Sequence, residues 1–182
     1  MKNPPSFGQL GPHVIPFDLG HGWYQSMDYT TGSPLPPLHP TRSRTFKESV
    51  DKVCNFLSTI RDEGQASLEN VFIISYASGA DVAMEVAGRV AFGGAACFRG
   101  GDWGKGGRKV TDVLQVLGRR DKRYGIRGGG ERVEKFVVDK DGAMGDSKEE
   151  VEELFKWLAP RLNKRMPKME QMFGGGGAGG KT

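Results

Sequence analysis

The sequence has few of the residues that metal sites, disulfides and membrane insertion require. Its 182 residues include only 3 histidines and 2 cysteines. No apolar run reaches the roughly 18 residues of a membrane-spanning helix, and the N-terminus Met1–Pro5 begins no apolar signal core. Cys54 and Cys97 lack the spacing of a metal knuckle. We therefore expect a cytoplasmic protein with reduced thiols, no membrane span and no cofactor.

Positive charge is in slight excess but is not concentrated in one long stripe. Lysine and arginine total 26 against 22 aspartate and glutamate, a formal net charge of +4. Because counterion-release binding to nucleic acid uses a concentrated basic surface, we expect no nucleic-acid partner. The densest cluster, residues 119–123, surrounds Asp121 with basic side chains. This cluster is either a solvated loop or a site for an anionic group.

Proline and glycine are unevenly distributed and suggest the domain limits. Proline is concentrated in residues 1–45, and glycine dominates residues 174–180. We predict a proline-rich, partly packed segment over residues 1–45, a folded domain over residues 46–166 and a disordered tail over residues 167–182. The tail matches a phosphate-loop letter pattern, but the flanking strand and helix of such a loop are not evident. We expect no nucleotide binding there.

Apolar periodicity predicts helices alternating with strands. Three- and four-residue spacing predicts a helix over residues 45–60, and the β-branched run Val71–Ile74 is typical of a strand covered on both faces. The remaining predicted elements are a helix at Ser78–Ala87, strands at Ala95–Phe98, Val113–Leu117 and Phe136–Val138, and a helix at Glu149–Leu162. This alternation predicts an α/β fold with a mostly parallel sheet and helices on both faces.

The junction between the first predicted strand and the following helix resembles a nucleophile elbow. In Gly-x-Ser-x-Gly, small residues flank a strained serine between a strand and a helix. Here Ser75 stands at the first glycine position, Ala77 at the nucleophile and Gly79 at the second glycine. A displaced nucleophile at Ser75 or Ser78 is one alternative. Ser78 more naturally caps the helix, and its backbone N–H is a candidate oxyanion donor.

These elements together resemble the phospholipase/carboxylesterase family of α/β-hydrolases, which contains the acyl-protein thioesterases. The likeness covers about residues 12–162 and depends on the order of four segments: Trp23–Tyr24, residues 70–100, Val113–Asp121 and Gly142–Gly145. It implies Asp121 at the triad-acid position, Ala77 at the nucleophile position and Gly145 at the histidine position. It also implies an acyl ester or thioester ligand, and N-terminal strands that this sequence does not contain.

The departures from the family pattern determine the expected chemistry. Such hydrolysis needs a nucleophilic oxygen, an imidazole and an orienting carboxylate, of which only Asp121 is retained. All 3 histidines, His13, His21 and His39, precede the elbow, whereas the histidine of the family follows it. Loss of the serine or histidine costs on the order of 10⁶ in turnover. We therefore predict a catalytically inactive member, a pseudoenzyme.

Two alternatives to a pseudoenzyme remain besides the displaced nucleophile. The first is an active carboxylesterase or acyl-protein thioesterase whose gene model is incomplete. The second is a non-catalytic binding or scaffolding domain. Without the N-terminal strands, the strand before the elbow would expose its main-chain groups at a sheet edge. We therefore expect that edge to be covered by a protein partner or by a second copy in a homodimer.

Overall fold

The computed structural model describes residues 13–14, 21–100, 110–118, 132–138 and 147–163. The regular elements within these ranges are β1 (His13–Val14), β2 (His21–Gly22), α1 (Pro40–Asp62), β3 (Phe72–Tyr76), α2 (Ser78–Arg89), β4 (Gly94–Phe98), β5 (Val113–Gly118), β6 (Val133–Val138) and α3 (Lys148–Asn163). None of the helices in this part of the chain has the length and apolarity needed to cross a membrane.

The main sheet has four described strands in the order β3-β4-β5-β6, and all neighbouring pairs are parallel. Every residue of β4 and β5 is buried, as expected for the central strands of a parallel sheet. The short strands β1 and β2 pair antiparallel in a separate two-stranded sheet that the periodicity did not predict. The parallel sheet predicted from the sequence is confirmed.

Helices cover both faces of the sheet, and each face has its own apolar core. On one face, Val50 and Leu57 of α1 and Val82 and Val86 of α2 pack with strand residues such as Cys97. The opposite core contains Trp157 of α3 and the strand residues Ala96, Phe98, Leu114, Val116 and Val138. The rings of Phe72 and Trp157 meet edge to face, with centroids 6.4 Å apart. The predicted two-sided covering of the sheet is confirmed.

The first helix begins earlier than the periodicity predicted. α1 starts at Pro40 instead of residue 45, with His39 at the N-cap. Proline suits the first helical position because its fixed φ angle is already helical and its missing N–H would have no acceptor there. Thr45 lies inside the helix, where its Oγ1 donates to the carbonyl oxygen of Thr41 at 2.9 Å. The predicted domain limit between residues 45 and 46 therefore falls within α1.

The prediction that both faces of the strand before the elbow are covered is wrong for β3. Ile74 is 49% exposed and Tyr76 is 41% exposed. The physical reason is position: β3 lies at the edge of the described sheet, whereas α3 packs mainly on β5 and β6 at the other end. At that other end, β6 begins at Val133, before the predicted residue 136. The prediction missed this first part because the exposed Glu134 and Lys135 interrupt the apolar pattern of the strand.

Candidate functional site

The turn between β3 and α2 has the strained backbone of a nucleophile elbow. Ala77 adopts φ 48° and ψ −118°, a conformation that residues with a side chain rarely occupy. Its N–H donates to the carbonyl oxygen of Phe98 on β4 at 2.9 Å, and its own carbonyl oxygen accepts from the N–H of Ala80 at 3.0 Å. These bonds fix Ala77 at the carboxyl end of the sheet, where ligands of open α/β sheets bind.

Two glycines make this tight turn possible. A Cβ atom added at Gly79 would lie 2.8 Å from Nε1 of Trp23, and one added at Gly100 would overlap the carbonyl oxygen of Ala77 and the Cβ of Ala80. Gly79 is the second glycine of the predicted elbow pattern, so its role as a small neighbour is confirmed. Gly100 was not assigned a role from the sequence, because it contacts the turn only when β4 lies beside β3.

The two serines near Ala77 differ in their surroundings. Ser75 Oγ donates to the carbonyl oxygen of Ala96 at 3.2 Å and also lies 3.5 Å from Cys97 Sγ, so its hydroxyl is directed towards β4. Ser78 is the first residue of α2, as predicted, but it is not the N-cap. Ala77 holds that position, and no side-chain hydrogen bond caps the helix there. The expected capping role of Ser78 is therefore wrong.

Trp23 and Tyr24 hold the start of α2 from the outside. The Trp23 indole packs against Gly79, and the Trp23 carbonyl oxygen accepts a hydrogen bond from Ser49 of α1. Tyr24 Oη donates to Asp81 in the first turn of α2 at 2.6 Å. Burial, reinforced by this bond, raises the pKa of Tyr24 to about 12. The dipeptide predicted to precede the first helix thus connects α1 to the elbow helix.

A buried ion pair links the end of β4 to the start of α3. Arg99, directly after β4, pairs with Glu150, whose side chain is only 1% exposed. The N–H of Glu150 is held in turn by Ser147 Oγ at 3.1 Å. Sequence reasoning missed this pair, although Ser-x-x-Glu before an apolar helix is a recognisable start signal. Here the Glu150 carboxylate reaches Arg99 at the carboxyl end of the sheet, which only the tertiary structure reveals.

Arg99 and the following glycine are also tied to the central strand. Arg99 has a positive φ of 54°, and its N–H donates to the carbonyl oxygen of Val116 at 2.9 Å. Gln115 Nε2 donates to the carbonyl oxygen of Gly100 at 3.0 Å from a side chain that is 1% exposed. The buried polar groups of Arg99, Gln115 and Glu150 therefore fix Arg99 and Gly100, of which Gly100 closes on Ala77.

Two of the predicted site residues lie outside the described residues. These are Asp121, at the triad-acid position, and Gly145, at the histidine position. The strand predicted to lead to Asp121 is present as β5, which ends at Gly118 at the carboxyl end of the sheet, the same end as Ala77. The basic cluster of residues 119–123 and the glycine-rich tail of residues 167–182 also lie beyond the described ranges.

Metal and thiol chemistry receive no support from the part of the chain that is described. Within it, no group of three or more histidine, cysteine, aspartate or glutamate side chains could hold a metal ion. Cys54 in α1 and Cys97 in β4 are free thiols. Burial raises the pKa of the Cys54 thiol, which disfavours the reactive thiolate. The site is therefore defined by the elbow backbone and the polar groups around it.

Solved structures resemble this fold at low sequence identity. A carboxylesterase from Mesorhizobium loti matches with a TM-score of 0.55 and 16% identity, over 80% of this chain and 71% of its own. A variant of SOBER1 from Arabidopsis thaliana matches with a TM-score of 0.50 and 17% identity, over 79% of this chain and 76% of its own. The fold is α/β-hydrolase-like. No protein-family profile and no curated protein matches the sequence.

This α/β-hydrolase-like fold confirms the predicted fold class and gives the elbow its structural context. The strained turn of Ala77 lies between a strand and a helix, which is where a hydrolase of this fold holds its nucleophile. Ala77 has a methyl group at that point and no oxygen. Membership of the phospholipase/carboxylesterase family remains a prediction, since likeness at these identities concerns the fold alone.

Proposed function

We propose that this chain is a carboxylic ester or thioester hydrolase relative that is catalytically inactive as written. The observation that carries the proposal is Ala77 on the strained turn, with φ 48° and ψ −118°. An acyl transfer of this type begins with attack by a side-chain oxygen on a carbonyl carbon, and alanine offers none. The proposed ligand class is an acyl ester or thioester at the carboxyl end of the sheet.

The backbone around Ala77 supports an origin in nucleophilic catalysis. A non-glycine residue in a sparsely populated conformation costs on the order of 1–3 kcal/mol, so the surrounding structure has to hold it there. The Phe98 bond and the close approach of Gly100 do so. The N–H of Ser78, at the first position of α2, has no acceptor within the helix. It is the proposed remnant of an oxyanion site.

Purified protein tests the proposal directly. We expect no hydrolysis of a short-chain nitrophenyl ester or of a palmitoyl thioester above a denatured control, and no labelling by a fluorophosphonate probe. Labelling of the unmodified chain would contradict the proposal. If that labelling disappeared in Ser75→Ala or in Ser78→Ala, the nucleophile would be assigned to the missing hydroxyl, and the chain would be a working hydrolase with a displaced serine.

Restoring the missing groups tests whether the elbow geometry is competent. Ala77→Ser alone should stay nearly inactive, because a serine hydroxyl without an imidazole is a poor nucleophile at neutral pH. Ala77→Ser combined with Gly145→His should give a weak burst of nitrophenol. The matched control combines Ala77→Ser with Gly145→Asn, which adds a side chain of similar polarity but no base. Equal bursts from the two double variants would show that residue 145 does not stand at the histidine position.

A non-catalytic binding domain is the second candidate function. The observation that favours it is the exposure of β3, an edge strand of the described sheet, where Ile74 and Tyr76 are each about half accessible although they belong to a parallel sheet. Parallel sheets are normally covered on both faces. A domain that offers such an edge to another polypeptide needs no nucleophile, so the absence of an oxygen at Ala77 would be without consequence for its function.

A further inference from the structure

Two residues with side chains share an unusual backbone conformation at the carboxyl end of the sheet. Within the described ranges, Ala77 and Arg99 are the only residues other than glycine that have a positive φ, at 48° and 54°. They follow the neighbouring strands β3 and β4, and the N–H of Ala77 donates to the carbonyl oxygen of Phe98, the residue before Arg99. Such conformations persist only where the surrounding structure holds them, and they cluster at functional sites. The strain at Arg99 therefore points to a role connected with the elbow.

The conformation of Arg99 brings the next residue against the elbow. β4 ends at Phe98, and the positive φ of Arg99 turns the chain out of the strand direction. A Cβ atom added at Gly100 would lie 3.1 Å from the carbonyl carbon of Ala77 and would overlap the oxygen of that carbonyl group. Gly100 therefore lies against the peptide unit that joins Ala77 to Ser78. An extended conformation at Arg99 would carry the chain along the strand and away from this contact.

That peptide unit carries the candidate oxyanion donor. A peptide bond is planar, so the carbonyl group of Ala77 and the N–H of Ser78 keep fixed directions relative to each other. The carbonyl oxygen already accepts from the N–H of Ala80 at 3.0 Å and from the N–H of Asp81 at 3.3 Å. Contact with Gly100 restricts the same carbonyl group further. Whatever holds Gly100 in place therefore also sets the direction of the Ser78 N–H.

Two polar contacts hold Gly100 in place. Gln115 Nε2 of β5 donates to the Gly100 carbonyl oxygen at 3.0 Å from a buried side chain. The guanidinium of Arg99 pairs with the carboxylate of Glu150 near the start of α3, and their side chains are 11% and 1% exposed. This short segment after β4 is thus fixed both from the central strand β5 and from α3, which covers the opposite face of the sheet from α2.

Burial suits the pair of Arg99 and Glu150 to this task. A surface pair is screened by water and restrains its partners weakly. A buried pair keeps its geometry because breaking it is strongly destabilising. Ser147 Oγ accepts from the N–H of Glu150 at 3.1 Å, which fixes the first turn of α3. The Glu150 carboxylate therefore holds Arg99 from a defined position.

We propose that Arg99 and Glu150 are positioning residues for the Ser78 N–H. Glu150 holds the Arg99 guanidinium, Arg99 in its positive-φ conformation places Gly100, and Gly100 fixes the peptide unit after Ala77. The N–H of that unit is the donor offered to the carbonyl oxygen of an acyl ester or thioester. The inference rests on the proposed function, because that function gives the Ser78 N–H its role as an oxyanion donor. Neither Arg99 nor Glu150 touches the ligand, since both act through the backbone of the elbow.

Backbone dynamics give the first test. Amide nitrogen relaxation and residual dipolar couplings report the rigidity and the direction of the Ser78 N–H, and a loss of global stability alone does not change them while the protein stays folded. We expect an order parameter of about 0.85 for Ser78 in the parent chain and a fall below about 0.6 in Glu150→Gln, with the amides of β5 unchanged. An unchanged Ser78 amide in Glu150→Gln would overturn the proposal.

A matched control separates this pair from the general attachment of α3. Arg161 of α3 pairs with Glu134 of β6 at 2.8 Å, near the other end of the same helix. Glu134→Gln weakens that pair, and the Ser78 amide should not respond to it. Equal responses of the Ser78 amide to Glu134→Gln and Glu150→Gln would indicate general loosening of α3 and would overturn the positioning role.

A second variant reaches Gly100 from the other side. Gln115→Met removes the hydrogen bond to the Gly100 carbonyl oxygen and keeps a side chain of similar volume. It should lower the Ser78 order parameter as Glu150→Gln does, and it keeps the proposal testable if Glu150→Gln does not fold. An unchanged Ser78 amide in Gln115→Met would show that Gly100 does not set the direction of the donor.

Kinetics in a restored background give the final test. When Glu150→Gln is added to Ala77→Ser with Gly145→His, the rate of the nitrophenol burst should fall at least about tenfold while KM stays within about twofold, since an oxyanion donor acts on the transition state. A rise in KM with an unchanged burst rate would assign Glu150 to ligand binding and overturn the positioning role. Absence of any burst from the double variant would count against the proposed function, whereas the Ser78 amide of the unmodified chain would still decide the positioning proposal.

Discussion

The two edge strands of the described sheet differ in the side chains that they expose. β6 carries exposed charges, and ion pairs join its Glu134 to Arg161 and Arg161 to Asp112. β3 carries exposed Ile74 and Tyr76, although the strained turn that follows it is closely packed against Gly100. The comparison teaches that local constraint and edge protection are separate properties. The elbow after β3 is tightly constrained, but β3 itself carries no charged side chains of the kind that protect β6.

The largest expected effect is the loss of stability when the buried ion pair near the elbow is broken, compared with breaking the exposed pair at β6. Glu150→Ala should lower the free energy of unfolding by about 3–5 kcal/mol, because it removes one partner of a buried ion pair. Arg99 and Glu150 are 11% and 1% exposed. Glu134→Ala, which removes a carboxylate that is 61% exposed, should cost no more than about 1 kcal/mol. Urea denaturation of both variants measures the difference. Equal losses would show that the buried pair near the elbow stabilises the fold no more than the exposed pair at β6.

Gly100→Ala should have the next largest effect. Its methyl group would overlap the carbonyl oxygen of Ala77, which is backbone and cannot rotate away. We expect a loss of about 1–3 kcal/mol or more in the free energy of unfolding. The loss should be accompanied by faster hydrogen exchange of the Ala77 amide, since the Phe98 bond must shift. A neutral result in the same denaturation experiment would mean that the turn is looser than its geometry indicates.

The contact between Tyr24 and Asp81 predicts a pH dependence at the elbow end of the sheet. The pKa of Tyr24 is raised to about 12, first by burial and then by its hydrogen bond to Asp81. A raised pKa means that the folded state holds the phenolic proton more tightly. The resulting stabilisation is complete below the unfolded pKa of roughly 10 and is lost as the pH rises towards 12, an effect of roughly 2–3 kcal/mol.

Tyr24→Phe is the control for that pH dependence. The variant should be less stable than the parent chain near neutral pH, where the Asp81 bond is intact, and the two stability curves should converge above pH 10 as Tyr24 ionises. Thermal or urea unfolding measured between about pH 8 and 12 provides the comparison. Parallel curves across this range would show that Tyr24 titrates at its ordinary pKa and contributes no linkage.

A smaller effect with the opposite sign is expected at the turn itself. Ala77→Gly relieves a backbone conformation with φ 48°. The free energy of unfolding should rise by between zero and about 1 kcal/mol. Ala83→Gly, inside the same helix and 3% exposed, should destabilise by about 1 kcal/mol or more. Destabilisation by both substitutions would argue that Ala77 is not strained.

The smallest expected effect lies on β3, the exposed edge strand of the described sheet. Ile74→Lys places a charge on a side chain that is 49% exposed, so the free energy of unfolding should change by less than about 0.5 kcal/mol. Its consequence should appear in association: light scattering at high protein concentration should be lower than for the parent chain, because an edge lysine opposes strand pairing. A large loss of stability would mean that Ile74 is packed and the edge is not open.

Much of the fold follows from the pattern of the sequence. The apolar runs before Ser75 and after Asp112 predict strands, and the intervening helix spacing predicts parallel pairing. The elbow was predicted because Ser75, Ala77 and Gly79, at the end of the first run, have the spacing and small side chains of the nucleophile-elbow pattern. These features depend on residues close together in the chain, where side-chain size and spacing act directly on backbone choice.

The start of α1 and the exposure of β3 could not be obtained in the same way. The periodicity located the apolar stripe of α1 but not the first turn, which Pro40 begins ahead of that stripe. For β3, an apolar run predicts burial on both faces only when neighbours exist on both sides. Its position at the edge of the described sheet is a property of strand order, which periodicity does not contain.

By itself, the sequence determined the succession of strands and helices, the small residues of the elbow and the absence of an oxygen at Ala77. Each of these is local, because it depends on side-chain identity and short spacing. Only the tertiary structure decided that Arg99 meets Glu150, that Gly100 closes on Ala77, and that Ile74 lies half-exposed on an edge strand of the described sheet. These depend on which strands lie side by side, and the free energy that fixes strand order comes from burial across the whole sheet.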